Sequence, residues 1–231
     1  MKRRIPPWAL VVVAAGRSKR LRAHVPKPFL DLKAGRNMID LSISAFRKVP
    51  GMAFVSLVTQ PRFFRKALRS LDRAGLPGAV VEGGVHREDS VLRGLLVLPE
   101  GVKAVLIHDA ARPFVTPELV SRVLRETLRV GACIPALPVK DTIKEVGPSG
   151  RVLRTLERSR LVFVQTPQGF RLPLLLGSFL KVGRRRSRLT DDAAVAEAAG
   201  YRVRVVEGDP LNFKVTTPSD LVHARQSAKR K

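Results

Sequence analysis

Ala104-Val105-Leu106-Ile107, followed at once by His108-Asp109, is an unbroken apolar run that ends in two polar residues. A strand with one wet face alternates apolar and polar positions. A run that is apolar at every position is buried on both faces, as in a parallel sheet covered by helices. Ala9-Leu10-Val11-Val12-Val13 reads the same way. Working outward, strands are predicted at 8–13, 53–58, 79–82, 104–108, 132–138, 202–207 and 212–215. Helix-length amphipathic segments lie between them at 38–48, 61–74, 87–98, 117–129, 172–182, 191–199 and 218–228. The βαβα order implies an α/β fold with an open, doubly wound, mostly parallel sheet and right-handed crossovers. Ligands in such sheets bind beyond the carboxyl ends of the strands. Strand 8–13 and strand 104–108 therefore deliver their following residues to one edge.

The loop after strand 8–13 is chemically pointed. Ala14-Ala15-Gly16 gives way to Arg17, Lys19, Arg20 and Arg22, then Pro26-Lys27-Pro28-Phe29. Small residues let backbone N–H groups approach phosphate oxygens, and the cations neutralise the remaining charge. The loop is neither a Walker P-loop, which ends in Gly-Lys-Ser/Thr, nor a Gly-x-Gly-x-x-Gly dinucleotide fingerprint. It reads as a nucleoside triphosphate loop of another kind.

A chain of 231 residues that is 45% hydrophobic has enough material for one good-sized core, so a single domain is expected. Lys2-Arg3-Arg4 before Trp8–Ala15 resembles a weak signal peptide, but Pro6-Pro7 breaks the segment and the run is needed as a strand. Cys133, in apolar surroundings, fits a buried inert thiol and a reducing cytoplasm. His24, His86, His108 and His223 show no zinc-ligand spacing. The formal net charge of +24, with 30 arginines against 13 lysines, suits polyanionic partners and raises a nucleic-acid-binding protein as an alternative. The charges are spread, however. Arg62, Arg65, Lys66, Arg69 and Arg73 line one face of segment 61–74, which is what a solvated helix face looks like. Arg184-Arg185-Arg186 and Lys229-Arg230-Lys231 read as a solvated loop and a frayed tail, with non-specific nucleic-acid binding at most.

Segment 139–165 breaks the rhythm. Two partly alternating stretches, 139–146 and 151–156, flank Gly147-Pro148-Ser149-Gly150. They are expected to form a hairpin arm outside the main sheet. A lone hairpin is marginal in water, so a second subunit is its natural cover.

Several separated segments together resemble one family. They are the Ala14–Phe29 loop, Glu82-Gly83-Gly84 with Arg87-Glu88-Asp89-Ser90-Val91, and His108-Asp109-Ala110-Ala111-Arg112-Pro113. Lys140-Asp141-Thr142-Ile143-Lys144, Thr166-Pro167-Gln168, Thr190-Asp191 and Asn212-Phe213-Lys214-Val215-Thr216 continue the match. The family is 2-C-methyl-D-erythritol 4-phosphate cytidylyltransferase, of the non-mevalonate isoprenoid pathway. The resemblance implies a cytoplasmic, Mg²⁺-dependent homodimer that joins CTP to methylerythritol phosphate and releases pyrophosphate. It assigns Arg20, Lys27 and Lys214 to the triphosphate and its transition state. Ala14, Ala15, Gly16, Gly83 and Ser90 would frame CTP, and Asp109 would hold the metal. Arg112 and Thr190 would contact the polyol phosphate, with Thr142 and Arg158 reaching it from the other subunit's arm. Such chemistry needs no general base, because a phosphate with a second pKa near 6 is already an anionic nucleophile at pH 7.

The residues taken singly admit plainer roles. Asp109 could cap a turn, Lys214 could face solvent, and Arg112 could serve a surface ion pair. Thr190-Asp191 suffices as a helix N-cap, and the role of Arg158 could fall on Arg154 or Arg160. The related ribitol 5-phosphate cytidylyltransferases would share fold, loop and metal. Ser18 stands where the family commonly has a second glycine, and the basic balance is not explained by the resemblance.

Overall fold

A computed structural model describes residues 5–16, 27–183, 186 and 189–230. In chain order its elements are β1 (Trp8–Val13), β2 (Asp31–Lys33), β3 (Arg36–Asn37), α1 (Met38–Phe46), β4 (Met52–Thr59), α2 (Phe64–Ala74), β5 (Gly78–Glu82) and α3 (Arg87–Leu96). Next come β6 (Ala104–Asp109), α4 (Pro117–Val130), β7 (Ala132–Pro138), β8 (Lys144–Val146), β9 (Val152–Thr155), β10 (Val162–Val164) and β11 (Gln168–Arg171). The chain ends with α5 (Leu172–Val182), α6 (Asp192–Ala198), β12 (Arg204–Glu207) and α7 (Pro218–Arg230).

The central sheet is mostly parallel. β5, β4, β1 and β6 run side by side in one direction. β11 is antiparallel to both β6 and β7, and β12 adds to β7 in parallel. Ala136 of β7 meets Glu207 of β12 and Val164 of β10, so those strands lie on its opposite flanks. β10 and β11 share one flank end to end, joined by Gln165-Thr166-Pro167 with a cis Thr166–Pro167 bond. From β1 the chain winds outward through β4 to β5, then crosses to β6 on the other side. The switch in winding direction falls between β1 and β6, the position at which open α/β sheets bind ligands.

The unbroken apolar strands account for a core on both faces. In β1, Trp8, Leu10 and Val12 point to one face, where α1 supplies Ile39, Ile43 and Phe46 and α4 supplies Leu119 and Val123. Val11, with Val105 and Ile107 of β6, points to the other, against Val91 of α3, Phe179 of α5 and Val195 of α6. Each such side chain removed from water is worth roughly 1.5–3 kcal/mol. A third cluster seats α7 through Ala224 and Ala228 against Leu32, Met38 and Val215. The early run that resembled a signal peptide is thus β1, fully buried from Trp8 to Val12.

Two expectations are corrected. Asn212–Val215 is no strand but irregular chain crossing the carboxyl edge of the sheet. Buried Asn212 is held there by donating to the Thr166 carbonyl at 2.8 Å, and the Val215 N–H donates to the Ala111 carbonyl at 2.8 Å. Those side-chain and loop hydrogen bonds replace a ladder. Next, segment 139–165 is a hairpin only where β8 pairs β9, because Val162–Val164 joins the central sheet as β10. The N-cap expected at Thr190-Asp191 is made by Asp191, whose carboxylate accepts the Ala194 N–H at 2.9 Å. α4 is capped by Thr116, which accepts the Leu119 N–H, with Pro117 in the first turn.

Candidate active site

The carboxyl ends of β1, β4, β5 and β6 open into a cleft of about 700 Å³. Register fixes what meets there. Val13 pairs with Val58 and with Asp109, and Thr59 pairs with Glu82, so the loops after these residues share one edge. Of the site residues expected from sequence, Ala14, Ala15, Gly16, Lys27, Gly83, Ser90, Asp109 and Lys214 line the cleft.

One wall is built on close backbone approach. The Gly83 N–H donates to the Thr59 carbonyl at 2.9 Å, which brings the loop after β5 against the loop after β1. A Cβ on Gly83 would lie 2.3 Å from that of Ala15, so a side chain is excluded there. Ser90, in the first turn of α3, accepts the Gly84 N–H at 3.0 Å and donates to the His86 carbonyl at 3.1 Å. Gln60 closes the other side by donating to the Ala15 carbonyl at 2.9 Å. The result is a narrow slot of small residues and backbone groups.

The floor carries the charge. Asp109, at the end of β6, accepts from Lys214 at 2.6 Å and lies 3.5 Å from the Arg87 guanidinium. Burial pushes the Asp109 carboxyl upward, but Arg87 and Lys214 outweigh it and hold it well below the usual carboxylate range. Arg87 in turn makes a forked pair with Asp192, at 3.0 and 2.8 Å, and Asp192 is fully buried. Lys27 reaches from a short 3-10 turn, Lys27–Phe29, and donates to the Val215 carbonyl. Lys214 and Lys27 are thereby held on the same irregular segment that replaces the expected last strand.

His108 is structural. It is fully buried, and burial lowers its pKa to about 4. Its Nε2 lies 3.1 Å from the Arg112 carbonyl, an acceptor, so Nε2 carries the proton. Nδ1 then accepts from the Thr166 hydroxyl at 3.1 Å, while that oxygen accepts the Asp109 N–H at 3.1 Å. The chain of hydrogen bonds fixes the backbone of Asp109.

The expected acceptor-site residues fall elsewhere. The Arg112 guanidinium donates to the carbonyls of Asn212 at 2.8 Å and Val164 at 3.3 Å. Thr190 is exposed just before α6. Thr142 and Arg158 are exposed on the arm, where Arg158 donates to the Lys140 carbonyl at 2.9 Å. None of the four lines the cleft of its own chain. Arg20 and Ser18 lie outside the described residues. Sequence reasoning assigned no role to Gln60, Arg87 or Asp192. Gln60 carries a signal in its place, at the carboxyl end of a parallel strand, and Arg87 lies inside a quoted motif. The partnership of Arg87 with Asp192, 105 residues apart, has no local signature.

No group of three or more His, Cys, Asp or Glu side chains gathers among the described residues. A site with one ionised carboxylate still fits Mg²⁺, which keeps several waters and shares its coordination with substrate phosphates. Asp109 is the residue that would hold it.

A switch-point cleft with a small-residue loop, an ionised aspartate and converging cations defines an α/β nucleotide-binding protein of the nucleotidyltransferase kind. The family model described as "IspD: 2-C-methyl-D-erythritol 4-phosphate cytidylyltransferase" matches residues 8–230, and the chain belongs to that family. It is 38% identical to the 2-C-methyl-D-erythritol 4-phosphate cytidylyltransferase of Desulforamulus reducens over 224 residues, 96% of this chain and 95% of that one. It is 44% identical to the bifunctional enzyme IspD/IspF of Bradyrhizobium sp. (strain ORS 278) over 219 residues. That match covers 93% of this chain and 54% of the relative, so the chain spans about half the length of the bifunctional relatives it matches. The crystal structure of the Thermus thermophilus cytidylyltransferase is 34% identical and superposes with a TM-score of 0.78, covering 96% of this chain and 99% of that one.

Proposed function

We propose that this chain is a cytidylyltransferase that joins CTP to 2-C-methyl-D-erythritol 4-phosphate, giving 4-diphosphocytidyl-2-C-methyl-D-erythritol and pyrophosphate. The observation that carries the reading is Asp109, held ionised by Lys214 and Arg87 at the foot of a slot walled by Ala14–Gly16 and Gly83. Family membership supports the choice of substrates.

In this reading the slot takes the nucleotide, because its walls are backbone and small side chains that approach a planar base and a phosphate closely. An oxygen of the polyol phosphate attacks the α-phosphorus. The bond from that phosphorus to the bridging oxygen of the β-phosphate breaks, and pyrophosphate leaves with the electron pair. No proton needs to be removed from the nucleophile. The obstacles are repulsion between anions and charge that builds around the α-phosphorus. Lys27 and Lys214, fixed at the cleft, stabilise that charge without reorganising. Mg²⁺, when bound by Asp109, would supply further neutralisation of phosphate oxygens. Arg20 belongs to the loop whose cations we assign to the triphosphate.

A homodimer completes the proposal. Val146, Val152 and Leu153 of the β8–β9 arm and Phe163 of β10 are each more than half exposed, an apolar surface that a second copy would cover. Thr142 and Arg158, which do not meet their own cleft, would then serve the partner's, beside Arg112 and Thr190. We place the enzyme in the cytoplasm, in keeping with the buried lone thiol of Cys133. Among the described residues no helix is long and apolar enough to cross a membrane.

The test is a pyrophosphate-release assay with Mg²⁺ and CTP, run with methylerythritol phosphate, with ribitol 5-phosphate and with no acceptor. Release that requires methylerythritol phosphate supports the reading. Release with ribitol phosphate alone, or none with either, refutes it.

A further inference from the structure

The forked pair between Arg87 and Asp192 joins two parts of the molecule that the chain keeps far apart. Arg87 opens α3, directly after the Gly83–His86 loop that walls the nucleotide slot. Asp192 opens α6, directly after Thr190 and Asp191. Asp192 is fully buried, and Arg87 is the cation on both its oxygens, at 2.8 and 3.0 Å. The same guanidinium also reaches Asp109 at 3.5 Å. The start of α6 is tied down from a second side: Gln168 of β11 accepts the N–H groups of Asp192 and Ala193 at 3.1 and 3.0 Å and donates to Asp191 at 2.8 Å. The segment that carries Thr190 thus stands on Arg87 and Gln168.

We propose that Arg87 is a positioning residue whose guanidinium couples Asp109, at the foot of the nucleotide slot, to the first turn of α6, so that one group sets both the metal carboxylate and the acceptor-side segment around Thr190. This rests on the activity proposed above. The chemistry requires arginine. A planar fork can grip one carboxylate with two parallel N–H bonds and turn a remaining N–H toward a second carboxylate. An ammonium is a point charge that favours one partner and cannot hold both in a fixed geometry. Asp192 need not touch substrate for this to matter. It anchors the fork, and without it the guanidinium is free to close on Asp109 and compete with whatever that carboxylate binds.

The experiment uses two variants. Arg87→Lys keeps the charge and removes the fork. Arg87→Met combined with Asp192→Leu removes the buried pair together, which avoids leaving an unpaired buried charge and keeps the fold accessible. The first readout is amide exchange in the ligand-free protein. Both variants should lose protection at residues 190–195, while β1 and β6 keep theirs. The second is kinetic, well below each variant's melting temperature. Groups standing behind a metal-binding residue typically change activity by about 10–100-fold when altered. Accordingly kcat should fall by a factor in that range and KM for the polyol phosphate should rise, with the calorimetric Kd for CTP within about threefold of the parent.

Wild-type protection at 190–195, or parental kcat and acceptor KM in the doubly substituted protein, would overturn the proposal. So would an equal loss of CTP affinity, which would make Arg87 a nucleotide ligand instead. If the parent protein itself releases no pyrophosphate from CTP, the functional reading falls, and the exchange measurement still decides the coupling between Arg87 and α6.

Discussion

Gly83→Ala is the sharpest perturbation of the nucleotide slot, because it adds one methyl group at the point where two loops touch. The added Cβ would sit 2.3 Å from the Ala15 Cβ and 3.2 Å from the Ser90 Oγ. Carbon atoms settle at about 3.5–4.0 Å, so the two loops would have to part by roughly 1.2–1.7 Å. Overpacking of that kind costs about 1–3 kcal/mol, which for a domain of this size is about 2–4 °C of Tm per kcal/mol. The functional loss should be larger. Misplacing a reacting group by about 1 Å costs on the order of 10²-fold, and here the displaced backbone is the slot itself. Expected are a folded protein with slightly lowered Tm, CTP affinity reduced severalfold and kcat/KM reduced about 100-fold. The companion change Ala15→Gly removes the atom that the new methyl meets. The double variant Ala15→Gly, Gly83→Ala should recover most of the lost kcat/KM, although each change alone impairs it. Calorimetric titration with CTP and steady-state pyrophosphate release would measure both. Parental CTP binding and turnover in Gly83→Ala would refute the close-approach account, and failure of the double variant to recover would remove Ala15 from it.

Lys27→Ala should lower kcat by about 10²–10³-fold with the fold retained, since a fixed donor to developing charge is worth about 3–4 kcal/mol; near-parental pyrophosphate release would contradict that role. His108 stays neutral in the folded state down to about pH 4, whereas the unfolded chain takes up a proton near pH 6.5. Its contribution is therefore complete above pH 6.5 and lost as pH falls toward 4, about 3 kcal/mol in all, and urea midpoints across that window should fall less steeply in His108→Gln. Leu153→Glu, on the exposed face of β9, should shift the sedimentation profile from dimer to monomer without lowering Tm appreciably, and an unchanged dimer would remove the arm from the interface.

The fold was legible where one physical rule governed a whole segment. β1 throughout, and β6 from Ala104 to Ile107, are apolar at successive positions because helices cover both faces of the sheet, which buries Val11 and Val12 on opposite sides. The antiparallel strands β10 and β11 were not legible. Val162–Val164 and Gln168–Arg171 are short and owe their state to β6 and β7, partners distant in sequence. Asn212–Val215 misled for the converse reason. Its apolar alternation suggests a strand, yet its hydrogen bonds go to the Gln165 side chain and to the Thr166 and Ala111 carbonyls. In the cleft, the residues found were those next to a recognisable loop or strand end, Asp109 and Gly83 among them. The Arg87–Asp192 pair escaped because a buried ion pair across 105 residues is a property of the packed molecule. Thr142 and Arg158 do not line the cleft of their own chain, and their role in a site belongs to the proposed dimer.

Phosphorus NMR of one reaction mixture tests the central claim most directly. Protein, Mg²⁺, CTP and methylerythritol phosphate should give a pair of coupled doublets from an unsymmetrical diphosphate diester, growing in step with one equivalent of pyrophosphate. CMP and pyrophosphate without the diester, or a diester formed from ribitol phosphate and not from methylerythritol phosphate, would contradict it.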